Sequence, residues 1–325
     1  MPAVLIASPF RTPNSAPLPA DKFRDPRVTA DGARRASVAL TALTTLWFNT
    51  GTLCNIACAN CYIESSPRND ALVYLTADDV QGYLDEIAGL GLKTREIGFT
   101  GGEPFMNREV IGMLEAALDR GFAVLVLTNA MKPMRRWEPA LLDILQRYGD
   151  QLNLRVSLDH YTADAHEAER GAETWAPAIE GLSWLAANGF AIAVAGRLLP
   201  GEAEDQARAG YRRLFERLRL PIRADDPARL VLFPEMEAAV DVPEITEACW
   251  GILGKSPGSM MCASSRMVVK RRGEAHAAVV ACTLTPYDRQ FELGGALAQA
   301  LGAVQLNHPH CARFCVLGGA SCGLS

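Results

Sequence analysis

Histidine is scarce in this chain: there are five in 325 residues, and none precedes His160. A metal centre in the first half therefore has no imidazole to draw on, which leaves mixed Cys/His zinc sites without ligands there. No apolar run approaches the ~20 residues of a membrane span. The start, Met1 to Phe10, lacks a charged n-region and meets Arg11 after two prolines, so no signal peptide is expected. Positive charge is also short. The 32 Lys and Arg stand against 37 Asp and Glu, a net charge of −5, whereas general nucleic-acid binding needs a basic footprint. The densest basic run, Lys270-Arg271-Arg272-Gly273, sits between two apolar stretches and reads as a solvated hairpin turn.

What the chain does have is cysteine, nine residues of it. Without export signals these suit metal binding in a reducing, cytoplasmic compartment better than disulfides. Charged residues at 21% and apolar residues at 49% are an ordinary globular balance, and the length allows one large domain or two. Three of the cysteines, Cys54, Cys58 and Cys61, form a C-x3-C-x2-C loop followed by Tyr62. One loop can aim three thiolates at one centre, and iron–sulfur clusters use thiolate ligands, normally four. Three ligands on a four-iron cluster leave one iron open for chemistry. A disulfide framework does not fit an odd number, and the loop offers no fourth ligand for structural zinc.

Strand and helix signals alternate around this loop. Thr45 to Thr50 is β-branched and aromatic, a buried strand. Thr76 caps a helix that runs to about Gly91, with Asp79 completing a capping box. Strands follow at Glu96 to Thr100, Phe122 to Thr128, Leu152 to Leu158, Phe190 to Gly196 and Arg229 to Phe233. Helices are expected over Arg108 to Arg120, Glu138 to Tyr148, Thr174 to Asn188 and Glu202 to Arg219. Six such repeats predict parallel β/α units with right-handed crossovers, fewer than the eight of a closed barrel.

The cysteine triad, Tyr62 and Gly101-Gly102-Glu103-Pro104 one strand later resemble the radical S-adenosylmethionine superfamily. The resemblance implies an α/β fold, a partial (β/α)6 TIM-like barrel. It also implies a [4Fe–4S] cluster whose open iron is chelated by S-adenosylmethionine, and a 5′-deoxyadenosyl radical that abstracts hydrogen from a substrate. By the same resemblance Tyr62, Thr100, Gly101, Gly102, Glu103 and Ser157 bind the cofactor, with Gly-Gly-Glu-Pro on the methionyl amino group; Asn129 is placed to hydrogen-bond the cofactor or else serves a turn, and Arg197, at the end of its strand, pairs with the methionyl carboxylate or else makes a salt bridge. Asp159, in Arg155-Val156-Ser157-Leu158-Asp159, faces the substrate or else caps a helix. His166 and Arg170-Gly171 fit the same pattern.

Cys262, Cys282, Cys311, Cys315 and Cys322 surround a hairpin, Arg266 to Lys270 and Ala278 to Thr283, and a short helix from Ala296 to Leu301. That arrangement resembles the twitch or SPASM domain, which holds auxiliary iron–sulfur clusters. The tail spacing, C-x3-C-x6-C, departs from the more usual C-x2-C-x5-C. With Cys249 there are six C-terminal cysteines, too few for two four-cysteine clusters, so one auxiliary cluster is expected. Cys262 and Cys282 are its firmest ligands. Two of Cys311, Cys315 and Cys322 complete it, with His308 and His310 as alternatives and a four-cysteine zinc site as the structural alternative. Cys249 has three readings: a buried apolar side chain, a cluster ligand, or a hydrogen-atom donor to a substrate radical.

The expected organisation is an irregular arm over 1–42 with a short helix near Ala30 to Val38, a barrel over 43–240 and an auxiliary-cluster domain over 241–325. The arm is shorter than the winged-helix leader-binding domain of many peptide-modifying relatives. The end, Gly323-Leu324-Ser325, lacks the Gly-Gly tail of the molybdenum-cofactor cyclase, so that activity is not assigned. The expected function is oxidation, epimerisation or rearrangement of a small molecule or peptide, with peptide maturation as an alternative. Flavodoxin or ferredoxin would be the reductant. An iron–sulfur electron carrier or a zinc-stabilised module are the non-enzyme alternatives, and the first leaves Gly-Gly-Glu-Pro unexplained.

Overall fold

The computed structural model describes residues 8–323. The first seven residues of the start examined for a signal peptide, and Leu324-Ser325 of the tail, lie outside them. In chain order the strands are β1 (Ser37–Val38), β2 (Thr45–Asn49), β3 (Glu96–Thr100), β4 (Ala123–Thr128), β5 (Leu152–Ser157), β6 (Ala191–Arg197), β7 (Leu230–Phe233), β8 (Ser265–Val269), β9 (Ala278–Val280), β10 (Glu292–Gly294) and β11 (Val304–Gln305). The helices are α1 (Ala77–Gly89), α2 (Val110–Leu118), α3 (Lys132–Arg135), α4 (Glu138–Tyr148), α5 (Ala163–Arg170), α6 (Trp175–Ala187), α7 (Glu204–Leu218) and α8 (Cys249–Leu253).

The predicted strands β2 to β7 form six parallel neighbours in chain order, joined by five helical crossovers. Their apolar residues alternate between two cores, as a sheet buried on both faces requires. Leu46, Phe48, Val124 and Val126 face the outer helices, while Trp47 and Leu125 face inward toward the C-terminal segment. Gly98 makes room for the inward Trp47: a Cβ there would meet the indole at 2.3 Å. Helix α1 starts as expected, with the Thr76 and Asp79 side chains forming the capping box.

The C-terminal hairpin extends the barrel sheet. Strand β8 lies parallel to β2, and β9 and β10 add antiparallel beyond it, making nine strands in the order β10-β9-β8-β2-β3-β4-β5-β6-β7. Its connecting turn is less solvated than its composition suggests. Lys270 is paired to Asp79 at 2.9 Å and Arg271 to Glu292 at 3.0 Å, leaving Arg272 as the exposed base.

The arm is irregular, but no helix forms near Ala30 to Val38. Val38 instead belongs to β1, which pairs antiparallel with β11. The reason is long-range. Arg35 is buried and bonded to Glu244 at 2.5 Å, so the arm is pinned to a distant segment before local turns can close. Arg155 does the same for the tail. Its guanidinium, on β5 inside the barrel, donates to the carbonyls of Cys322 at 2.6 Å and Gly323 at 3.1 Å.

Candidate active site

The loops after the strand C-termini enclose a cavity, as in barrels generally. Cys54, Cys58 and Cys61 reach it from the β2 loop, Thr100, Gly101 and Gly102 from β3, and Asn129 from β4. Ser157 and Asp159 line it from β5, Arg197 from β6, and Phe233 from β7. The cysteine loop is held at several points. Cys54 donates its N–H to the Ser66 carbonyl at 3.0 Å, and Ala59 donates to the Glu169 carbonyl at 2.7 Å. The N–H of Asn60 meets the Glu169 carboxylate at 3.0 Å. Asn129 donates to Asn55 at 2.9 Å, beside Cys54. Burial pushes the Cys54 thiol up to about 11 and the Cys58 thiol up to about 12, and raises Cys61 as well. Three neutral thiols gathered in a dry pocket are the arrangement that metal binding converts to thiolates.

Gly101 and Gly102 have a packing reason beyond any ligand. A Cβ on Gly102 would lie 2.1 Å from the Leu53 carbonyl oxygen, and one on Gly101 2.4 Å from that of Gly51. Glycine there lets the β3 loop run against the backbone that leads into Cys54. The buried Glu103, expected to bind the cofactor, stands behind this wall and does not line the cavity. Its carboxylate accepts the N–H of Asn129 at 2.8 Å, the N–H of Phe105 at 3.2 Å and the Thr128 hydroxyl at 2.9 Å. It ties the β3 loop to the β4 loop. Burial is the larger influence and pushes Glu103 up to about 7, against those hydrogen bonds. A carboxyl raised on folding favours the folded state below its unfolded pKa, and that gain disappears as pH rises through the folded value. Stability should therefore fall between about pH 4.5 and pH 7. Glu103→Gln should flatten that part of a denaturation-versus-pH profile, and an unchanged slope would show that Glu103 is not its source.

Arg197 was expected to meet a ligand carboxylate, yet its guanidinium is taken. It pairs with Glu169 at 2.8 Å and with Glu235, and it lies 4.5 Å over the Phe10 ring. Asp159 caps no helix. It holds Arg170 through two contacts, 2.7 and 3.3 Å. Burial works to raise the Asp159 carboxyl, but Arg170 and Arg197 hold it below its usual range. Burial also opposes the charge on Arg170, which Asp159 nevertheless keeps firmly protonated. Arg170 is thus the guanidinium beside the cysteine triad. It and Glu169 both sit on α5, a helix not anticipated from the sequence. Tyr62 lines the cavity, half-buried, and burial raises its phenol.

A second, smaller pocket is lined by Cys262, Cys282, Cys311 and Cys315. Cys262 precedes β8 and Cys282 follows β9. Cys311 and Cys315 lie on a π-helical stretch, Cys311–Leu317, whose wide turn brings residues four apart onto one face. Burial pushes Cys262 up to about 11 and Cys315 up to about 12, and holds Cys282 and Cys311 well above the usual range. Two side chains in the same lining, Thr285 and His310, are buried with the Thr285 hydroxyl and the His310 Nδ1 lacking a hydrogen-bond partner. His308 is not in this lining, and neither is Cys322, which lines the larger cavity. Cys249 enters neither pocket. It sits at the start of α8, where its Sγ accepts the Thr246 N–H at 3.4 Å, so the hydrogen-donor reading for Cys249 is withdrawn. Among the described residues no three His, Cys, Asp or Glu side chains converge tightly enough for a single metal ion.

An open parallel barrel with three cysteines and a Gly-Gly edge at one cavity defines a class of radical enzyme. Residues 48–213 match the family model described as the radical SAM superfamily, and the chain belongs to that superfamily. It is a radical S-adenosylmethionine enzyme, using a [4Fe–4S] cluster and S-adenosylmethionine. Two curated relatives are the antilisterial bacteriocin subtilosin biosynthesis protein AlbA of Bacillus subtilis and the mycofactocin maturase MftC of Mycobacterium ulcerans. AlbA is 31% identical over 143 residues, 44% of this chain and 30% of its own length. MftC is 31% identical over 140 residues, 43% of this chain and 36% of its own length. The matches thus span about a third of these relatives. SuiB of Streptococcus suis, solved with S-adenosylmethionine, shares the fold with a TM-score of 0.56 at 12% identity, over 78% of this chain and 63% of that one.

Proposed function

We propose that this enzyme modifies a peptide, with Cys54, Cys58 and Cys61 holding the radical cluster and Cys262, Cys282, Cys311 and Cys315 holding one auxiliary iron–sulfur cluster. The observation that carries the reading is the separation of the cysteines into two sets, each lining its own pocket. The unpartnered Thr285 hydroxyl supports the auxiliary site, because cluster sulfurs accept hydrogen bonds. Residues 43–240 form the catalytic barrel and 241–325 the auxiliary domain, with β8 of the second lying beside β2 of the first.

When bound, the radical cluster supplies the electron that cleaves S-adenosylmethionine. The chain's own residues do the rest. Arg170, with its Nε and Nη2 already on Asp159, offers its charge and remaining donor to the methionyl carboxylate. Thr100, Asn129 and Ser157 present polar groups along the same wall. Phe233 and Phe314, in ring contact with each other, add apolar surface to the cavity lining. A low-potential one-electron donor of the flavodoxin or ferredoxin kind completes the cycle.

The peptide substrate is supported by the relatives, which include a bacteriocin biosynthesis protein and a mycofactocin maturase. SuiB has also been solved with its precursor peptide SuiA. Short peptides encoded beside the gene should raise the rate of 5′-deoxyadenosine formation several-fold over the substrate-free rate. If small-molecule extracts raise it and no such peptide does, the peptide assignment is wrong.

A further inference from the structure

The lining of the larger cavity changes character around the barrel. The ends of β3 to β5 bring polar groups to it, Thr100, Asn129, Ser157 and Asp159, and α5 adds Arg170. Strand β7, at the end of the sheet, and the loop after it bring Phe233, Pro234 and Met236. The C-terminal segment brings Leu284 and Phe314. The Phe233 and Phe314 rings lie 5.4 Å apart, so the two contributions meet. Phe233, Met236, Leu284 and Phe314 all pack in the inner apolar core, which makes them one continuous wall.

The charged groups of the cavity do not serve this wall. Among the described residues four charged side chains line the cavity, Asp159, Glu169, Arg170 and Arg197, and each is ion-paired within the protein. Asp159 holds Arg170 at 2.7 Å. Arg197 lies between Glu169, at 2.8 Å, and Glu235, and the Phe10 ring covers its guanidinium. Glu235 is shared in turn, because it also accepts the side-chain amide of Asn60 in the cysteine loop. A substrate carboxylate or ammonium placed against the wall would lose its water and find no unpaired counter-ion. An apolar side chain placed there gains by leaving water.

We propose that this wall is the subsite for the substrate residue that loses its hydrogen, and that it selects a bulky apolar side chain over a charged one. Phe233, Met236, Leu284 and Phe314 are its specificity-determining residues. The proposal rests on the peptide-modifying reading above and adds the class of residue modified. It divides the cavity by chemistry: the cofactor takes the polar wall, and the target residue takes the apolar one.

The test uses capped tripeptides Gly-X-Gly with X deuterated at every carbon-bound position. Reconstituted holoenzyme is reduced with dithionite and given S-adenosylmethionine with each tripeptide in turn. Abstraction breaks a C–D bond of X and forms one in 5′-deoxyadenosine, leaving a carbon radical on X. Mass spectrometry of the 5′-deoxyadenosine therefore counts events whatever the final product. Leucine, methionine or phenylalanine at X should give a deuterated fraction several-fold above aspartate, glutamate, lysine or arginine. Met236 is half-buried and can take a charge at the edge of the wall. Met236→Lys should lower transfer from leucine several-fold and make glutamate a donor. Met236→Glu should do the same with lysine, and Met236→Leu should keep the wild-type order, with melting curves identifying the folded variants. Equal transfer from charged and apolar X would overturn the proposal, as would an unchanged order in a folded Met236→Lys or Met236→Glu variant. Weaker binding of S-adenosylmethionine in those variants with the order unchanged would assign the wall to the adenosyl group, which also overturns it. So would transfer from no X while longer peptides still stimulate 5′-deoxyadenosine formation. Stimulation by small-molecule extracts and by no peptide would instead count against the underlying reading.

Discussion

Replacing Cys58 with alanine is expected to abolish reductive cleavage of S-adenosylmethionine. Cys58 and its two neighbours reach the cavity from one loop, and the β2 loop offers no substitute ligand. Two thiolates are too few for an open-iron cluster that normally has three. Iron per chain should fall by about half, because the second cysteine set lies in a separate pocket with four thiols of its own. The fold should survive, since the loop is also held by Ser66 and Glu169 through its backbone. The measurement is 5′-deoxyadenosine after anaerobic reduction, alongside an iron assay. Undiminished 5′-deoxyadenosine would remove Cys58 from the cluster.

Cys282→Ala is expected to have the next largest effect, and a different one. It should lose the other half of the iron yet keep substrate-free cleavage of S-adenosylmethionine, because the barrel loops alone build the first site. Formation of modified peptide should fall to background. The residues bounding the pocket, Cys262 before β8 and Cys282 after β9, flank paired strands of the sheet, so the apo pocket should hold its shape. Wild-type iron and wild-type turnover in this variant would mean that Cys282 is an ordinary buried thiol.

The barrel was legible in the sequence because its signals are local and apolar. Runs such as Ala123–Thr128 are buried on both faces, and helices end at Gly91, Gly121 and Gly189, where φ is positive. Helix α5 was not legible. Its sequence, Ala-Asp-Ala-His-Glu-Ala-Glu-Arg, has no apolar stripe, and what it buries is His166 and Glu169. A helix whose inner face is polar escapes a search for hydrophobic periodicity, and the two residues that grip and flank the cysteine loop, Glu169 and Arg170, were missed or underrated with it. His166 and Arg170-Gly171 in the strand-four pattern were the signal available. The same limit explains the arm, which is ordered by the Arg35–Glu244 pair across 209 residues. The cysteine spacing grouped Cys54, Cys58 and Cys61, which line one cavity. It could not divide the tail, because the π-helical stretch and the bend through Gly318 and Gly319 decide which thiols face the second pocket and which faces the cavity.

The place of β8 has a consequence for how the protein is made. Ser265 is aligned with Thr45 in the parallel pairing of β8 with β2. At about 5–20 residues per second, the interval between synthesis of the two strands is roughly ten to forty-five seconds. Throughout it, the β2 edge is an unpaired template beside the cysteine loop, open to pairing with other nascent chains. Strand pairing across so long a loop is also slow once both partners exist. The Arg155 grip on Cys322 and Gly323 forms later still, so the cavity gains its last wall only when the tail has left the ribosome.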